Sequence, residues 1–150
     1  MIVSADSNDA KKLTEIALTS KSFWGYSKEL IESWREDLTI TPKMILGGFV
    51  FKFIANDAIV GFYALNSPKV NTIELEMLFV LPEFIGKGIG KQLLHHSFEK
   101  AKKLKVKFIT LLADPNAVSF YASQGFYEID KKESSIAGRF LSVLQKDLEQ

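Results

Sequence analysis

The order of extended and helical segments predicts an α/β (α+β) fold in one domain, 1–150, with a mixed central sheet of about six to seven strands flanked by about four helices. Three observations predict it. Phe49 to Ala55 and Ala58 to Leu65 are runs rich in Phe, Val and Ile joined at Asn56-Asp57, the pattern of a β-hairpin. From Asn71 to Gly125 the pattern reads strand, helix, strand, helix, which places a parallel pair near the middle of the sheet. The 150 residues are 47% hydrophobic and 25% charged, the composition of a packed domain with one core.

The elements follow in order. Residues 2–5 are a short strand. Asp6, Ser7 and Asp9 are candidate caps for a helix carrying Leu13, Ile16 and Ala17 at helical spacing. Ser22-Phe23-Trp24-Gly25-Tyr26 breaks it, and Ser27 caps a second helix with Leu30, Ile31 and Trp34 on one face. After the hairpin, Asn71 to Leu81 is a third extended run closed by Pro82. Gly86 to Leu104 is a glycine-rich turn feeding a helix, with Leu94, Phe98 and Ala101 in step. Phe108 to Ala113 is a strand, Pro115 to Gln124 a short helix stopped by Gly125, and Phe126 to Lys132 and Phe140 to Lys146 are closing strands.

Composition excludes several classes. With no cysteine there is no disulfide, thiolate metal site or Cys nucleophile. The two histidines, His95 and His96, are neighbours. On a helix they diverge by about 100°, so no metal site is expected, and both are read as helix-surface residues. A net charge of +1 gives no general pull toward nucleic acid or membrane. No basic start followed by an apolar run opens the chain, and no apolar stretch approaches the ~20 residues of a membrane span. The expected compartment is the cytoplasm.

The central signal is Phe79-Val80-Leu81-Pro82-Glu83-Phe84-Ile85-Gly86-Lys87-Gly88-Ile89-Gly90-Lys91. Three glycines at alternate positions stand between a strand and a helix. Glycine reaches φ > 0 and removes side chains that would block a ligand. The first N–H groups of the helix lack internal partners and carry positive dipole charge. Together these make a pyrophosphate cradle; a tight turn with ordinary helix packing is the plain alternative. A Walker loop fits worse, because Gln92 follows Gly90-Lys91 and Ile85 replaces its first glycine. The dinucleotide fingerprint would need glycine at Lys91.

Leu78 to Lys91 resembles the acetyl-CoA motif of the GNAT superfamily of N-acetyltransferases, Gln/Arg-x-x-Gly-x-Gly/Ala. Gly88 and Gly90 match its two small positions, and Val80 and Pro82 stand at the usual places before it. Ile85 departs from the Gln/Arg position, leaving pyrophosphate recognition to backbone amides and lysines. Asp114 to Phe126 is similar to the later motif Asn-x-x-Ala-x-x-x-Tyr-x-x-x-Gly-Phe: Ala117, Tyr121 and Gly125-Phe126 fall at its spacing, while Asp114 takes the first position and an asparagine is displaced to Asn116. Element order agrees over nearly the whole chain. The resemblance implies a GNAT-like fold and an acetyl-CoA-dependent N-acetyltransferase. It implies cofactor contacts from Leu78, Phe79 and Val80 on the strand. In the turn it implies them from Ile85, Gly86, Lys87, Gly88, Ile89, Gly90 and Lys91, and beyond it from Asn116 and Tyr121.

Aminolysis of a thioester needs a neutral amine, alignment and a proton for the leaving thiolate, but no metal. At pH 7 a free lysine is only roughly 0.04% neutral and an α-amine roughly 14%, so a proton acceptor helps. Without cysteine, direct transfer is the simpler path. Strand alternation puts Glu74 and Glu76 on one face with Leu78 and Val80; a glutamate on this strand serves the resembling family as base, and two solvated carboxylates are the alternative. Tyr121 holds its proton at pH 7, and the motif assigns it the general acid; a packed aromatic is the alternative. Phe23, Trp24 and Tyr26 resemble the cover of the acceptor site, where aromatic faces can hold a cation. Most of the seven lysines between Lys87 and Lys107 are read as a solvated helix face. The acceptor is a small-molecule or peptide amine, with no nucleic acid or membrane partner. The family's habit implies a homodimer through apolar strands near the C-terminus. A non-catalytic acyl-CoA-binding module of the same fold is the second reading of the same residues.

Overall fold

A computed structural model describes residues 1–148. Strand β1 (Ile2–Ser4) leads to a 3-10 turn, Ser7–Asp9, closed by a reciprocal capping box: Asp6 Oδ1 accepts from Asn8 N at 2.9 Å and Asp9 Oδ2 from Asp6 N at 2.8 Å. Helix α1 (Ala10–Ser22) buries Leu13, Ile16 and Ala17 completely, as their spacing predicts. Helix α2 (Lys28–Ser33) is capped by Ser27 Oγ, which accepts from Leu30 N at 3.2 Å. Two further short helices follow where the sequence reading places no element, α3 (Arg35–Leu38) and α4 (Pro42–Gly47). Four and six residues are too few to show helical periodicity. The start of α4 nevertheless carries a signal in Thr41, whose hydroxyl accepts from Met44 N, and in Pro42 at the first position.

Strands β2 (Phe49–Ala55) and β3 (Ala58–Leu65) have the predicted limits. Their two-residue turn places Asn56 at φ 52° and Asp57 at φ 62°, the left-handed pair that matches the twist of a hairpin. Strand β4 (Thr72–Val80) reaches α5 (Ile89–Lys103) through a 3-10 turn, Pro82–Phe84. Then come β5 (Phe108–Ala113), a 3-10 turn Pro115–Ala117, α6 (Val118–Ser123), β6 (Tyr127–Glu133) and β7 (Phe140–Asp147). The strands form one mixed seven-stranded sheet in the order β1-β2-β3-β4-β5-β7-β6.

The chain divides into two units, Met1–Leu65 with Met77–Ser97, and Asn66–Glu76 with the residues from Phe98 onward. In the first, β1 and β3 pair antiparallel to β2, with Ile2 opposite Phe53 and Val50 opposite Ala64. Val50, Phe62, Ala64 and Met77 bury against Leu13, Ile16 and Ala17 of α1 and against Leu38, Ile40 and Ile45. Each fully buried Leu, Ile or Phe there contributes about 1.5–3 kcal/mol relative to exposure. Leu93 and Leu94 of α5 are also completely buried.

In the second unit, β4 pairs parallel to β5, Thr72–Glu74 against Phe108–Thr110. This is the parallel pair that the strand–helix–strand pattern requires. β7 pairs antiparallel to both β5 and β6. Ile109, Leu111 and Ala113 are buried, while every residue of β6 is exposed. Lys131, Lys132 and Glu133 charge that edge strand, a disposition that discourages further strand pairing.

Candidate active site

The glycine turn lies in the first unit. Phe84 N donates to Leu81 O at 2.9 Å and Ile85 N to Pro82 O at 3.2 Å, so the chain leaves β4 in a tight 3-10 turn. Gly86 and Gly88 then take φ +86° and +78°, torsions that cost an L-residue about 1–2 kcal/mol. A Cβ built on either would meet nothing within 4 Å. Glycine is thus demanded by the backbone, while the space beside it stands open. Ile89, 6% exposed, anchors the start of α5 in the core. Gln92 N donates to Gly88 O at 3.0 Å; the amides of Ile89 to Lys91 precede the first intrahelical donor. Lys87 Nζ stands 5.2 Å from the Phe84 ring centroid, which holds one cation at the flank of the turn. Ile85 is 50% exposed, so the residue replacing the family's Gln/Arg offers an apolar surface instead of a hydrogen bond.

Strand β4 carries the carboxylates and changes register on its way to the turn. Asn71 O accepts from Lys107 N and Phe108 N, so it faces β5. Glu74 O accepts from Asn66 N, directly after β3, so it faces the other edge. Leu81 N donates to Val60 O of β3. Glu74 and Leu81 are seven residues apart; strict alternation would aim them at opposite edges, yet both aim toward β3. One extra residue therefore lies between them, a β-bulge. A bulge also transposes faces. Phe79 and Leu81 pack with the α1 cluster, whereas Val80 Cγ2 and Leu93 Cδ1 both lie beside Gly61. At the end of the strand Phe79 and Leu81 thus share one face and Val80 turns to the other. The carbonyl of Val80 also accepts from the buried Ser20 hydroxyl at 2.9 Å, a tie between the end of α1 and the end of β4 that no sequence motif signals.

Glu74 and Glu76 are both exposed, while Ile73, Leu75 and Met77 between and around them are buried. Asn66 Nδ2 donates to Glu74 Oε1 at 2.6 Å. Glu76 titrates above the usual carboxylate range, because partial burial disfavours its charge and the neighbouring Glu74 adds repulsion.

Tyr121 and Asn116 lie in the second unit. Tyr121 is 8% exposed and packs edge-on against Phe120 and Phe126, centroids 5.2 and 5.4 Å away. Burial pushes its phenol well above the ordinary value. Asp114, at the position of the family's asparagine, accepts at Oδ1 from both Asn116 N and Asn116 Nδ2 at 2.9 Å. The displaced asparagine thus turns one side-chain N–H back on the cap. Asp114 Oδ2 also stands 3.6 Å from Arg139 Nη2.

Phe23 and Trp24, 54% and 46% exposed, meet edge-to-face at 5.4 Å beside Gly25. Tyr26 is half-buried and meets Trp34 edge-on at 4.9 Å. His95 is exposed as expected, whereas His96 is half-buried and turned toward the core. Its Nδ1 lies 2.7 Å from the hydroxyl of the fully buried Tyr63, with the Phe51 ring 4.8 Å away. Among the described residues no group of three His, Cys, Asp or Glu is placed to hold a metal ion, and no helix is long and apolar enough to cross a membrane.

Comparison with known proteins agrees with this geometry. Residues 23–140 match the Acetyltransferase (GNAT) domain family. An uncharacterized N-acetyltransferase, ycf52, of Pyropia yezoensis is 30% identical over 103 residues, 69% of this chain. The chain spans 58% of that relative's length. The structure of the PaiA N-acetyltransferase from Thermoplasma acidophilum, in complex with coenzyme A, superposes with a TM-score of 0.83 at 26% identity, covering 98% of both chains. A GCN5-related N-acetyltransferase from Rhodopseudomonas palustris superposes with the same TM-score, 0.83, at 24% identity, covering 99% of this chain and 95% of its own. With the GNAT fold and the family's domain signature across most of its length, the chain belongs to the GNAT family of N-acetyltransferases.

Proposed function

We propose that residues 1–150 form one N-acetyltransferase domain that moves an acetyl group directly from acetyl-CoA to a primary amine, in the cytoplasm and without a metal. The observation that carries this is the turn at Gly86 to Lys91: left-handed glycines beside open space, at the start of a 15-residue helix. Such a turn presents amides to a pyrophosphate. The likeness to a protein crystallised with coenzyme A supports it. Leu78, Phe79 and Val80 would offer backbone groups to the pantetheine. Since Val80 O already accepts from Ser20, its N–H and the groups of Leu78 are the better candidates.

Acetyl-CoA supplies an activated acyl group whose C–S bond breaks as the new C–N bond forms. Glu76, raised in basicity by partial burial and by Glu74, takes a proton from the acceptor ammonium directly or through water. Tyr121 gives a proton to the departing thiolate sulfur. Its buried phenol makes a lasting tyrosinate unfavourable, so the ring passes on a proton that the acceptor nitrogen must return; concerted relay suits it better than a charged intermediate. Phe23, Trp24 and Tyr26 cover the acceptor. A homodimer would use Tyr127, Ile129 and Phe140, which are 44%, 49% and 57% exposed on β6 and β7.

The test is thiol release from acetyl-CoA with a panel of polyamines, amino acids, aminoglycosides, small aromatic amines and peptide N-termini. Amine-dependent release with at least one class, yielding the acetylated amine by mass, is expected. Coenzyme A binding without release across the panel would reduce the chain to an acyl-CoA-binding module.

A further inference from the structure

The aromatic pair Tyr26–Trp34 already holds a cation. Lys21 Nζ lies 5.5 Å from the Tyr26 centroid and 5.2 Å from that of Trp34, and the two rings meet at 83°. Lys21, Tyr26 and Trp34 are all half-buried, and ring faces bind cations best where solvent is partly excluded. The local sequence builds the arrangement. Lys21 is the basic residue of the last turn of α1, where the helix dipole favours a cation. Gly25 at φ +85° reverses the chain. Tyr26 then precedes the cap of α2 and Trp34 closes it, so two rings from opposite ends of one short helix converge on one side chain of the previous helix. Two perpendicular rings around an ammonium form a box of the kind that receives alkylammonium ligands.

We propose that the Tyr26–Trp34 box is a cation site filled by the chain's own Lys21, and that Lys21 thereby selects for amine acceptors with a neutral or anionic body over those carrying a second cation. Ser20, the residue before Lys21, is bonded to the carbonyl at the end of β4, which ties the box to the strand that leads into the glycine turn. A diamine or polyamine entering there would face a fixed like charge and a filled box. An acceptor with an apolar or carboxylated body would meet the exposed rings of Phe23 and Trp24 and a favourable ammonium. Selection by a built-in repulsive charge needs no new attractive contact. The selectivity rests on the acceptor-site assignment above; the occupancy of the box does not.

The experiment separates the two. Trp24→Phe leaves Trp34 as the one reporter of the chain's two tryptophans. In that background, Lys21→Met keeps the apolar stem and removes the charge. Titration with tetramethylammonium chloride at constant ionic strength, read by tryptophan fluorescence, should show saturable binding at least about tenfold tighter in Lys21→Met than with Lys21 present. Adding Tyr26→Leu, which removes one wall of the box and keeps the Trp34 reporter, should abolish it. Equal affinity with and without Lys21 overturns the occupancy. Should Lys21→Met fail to fold, 13C-dimethylation of the wild-type lysines gives the same answer by NMR. The Lys21 methyl signal, assigned with Lys21→Arg, is expected upfield through ring currents, and an unshifted signal overturns the proposal. For selectivity, Lys21→Met should raise kcat/KM for a diamine over a neutral-bodied aromatic monoamine by about tenfold. An unchanged ratio, with tetramethylammonium binding gained, removes Lys21 from acceptor choice while leaving the box intact.

Discussion

Substitution at Gly88 separates torsion, space and charge within the turn. Gly88 has φ +78° and nothing within 4 Å of a built Cβ. Gly88→Ala therefore carries a torsional cost of about 1–2 kcal/mol and no steric one, lowering Tm by roughly 3–6 °C for a chain of this size. Gly88→Glu carries the same torsional cost and adds a negative charge where the pyrophosphate is proposed to lie. At about 6 Å and an effective dielectric near 20, each phosphate charge would then repel it by about 3 kcal/mol. Solvent exposure of the turn reduces this, leaving about 1.4 kcal/mol, or tenfold in affinity, as the floor. Calorimetric titration with coenzyme A is the assay, with melting curves on the same samples. The two variants should melt together, and Gly88→Glu should bind coenzyme A at least about tenfold more weakly than Gly88→Ala. Equal affinities in two folded variants would refute the cradle and leave the glycines as a tight turn.

Four further outcomes are expected. Tyr121→Phe keeps the edge-on packing against Phe120 and Phe126 and should lower kcat about 100-fold with little change in KM for acetyl-CoA. Because burial lifts the phenol so far, its titration lies beyond the accessible alkaline limb, and that limb should be unchanged; near-wild-type kcat would demote Tyr121 to a packing residue. Glu74→Gln removes the charge that helps raise the Glu76 pKa, so the loss of kcat/KM on acidification should move to lower pH. Since the folded-state pKa of Glu76 is raised, its ionisation opposes folding above that pKa. Glu76→Gln should therefore be neutral or stabilising at pH 7 by melting, with any gain vanishing as pH falls below the ordinary carboxylate range; stabilisation that grows on acidification would contradict the assignment. Dialysis against a chelator should leave turnover unchanged, since aminolysis of a thioester calls for no Lewis acid, and loss of turnover restored by added zinc or magnesium would overturn the metal-free reaction.

Much of the fold was legible because its signals are local. The limits of β2, β3 and β5 follow from Phe-, Val- and Ile-rich runs punctuated by turn residues. The turn at Gly86 to Lys91 is readable because the need for positive φ is a property of single residues. Burial of Ile73, Leu75 and Met77 against exposed Glu74 and Glu76 is plain period-two patterning. Helices α3 and α4 escaped because four and six residues span fewer than two turns, too few to repeat a helical period.

What tertiary structure decided are relations between distant residues, set by register and packing rather than by type. Ser20 and Val80 are 60 positions apart in the string; only the fold brings the hydroxyl of one to the carbonyl of the other. His96 looks like a surface residue until Tyr63, 33 positions earlier, takes its ring nitrogen. Nothing in the string signals that the amide of Asn116 donates to Asp114. Tyr26 stands out in sequence as one of an aromatic cluster, but Lys21, Tyr26 and Trp34 become one box only when Gly25 folds α2 back beside α1. The residue types were written in the chain, but a side chain's partner depends on where two backbones meet, and that is settled by burying apolar area while every polar group finds its bond.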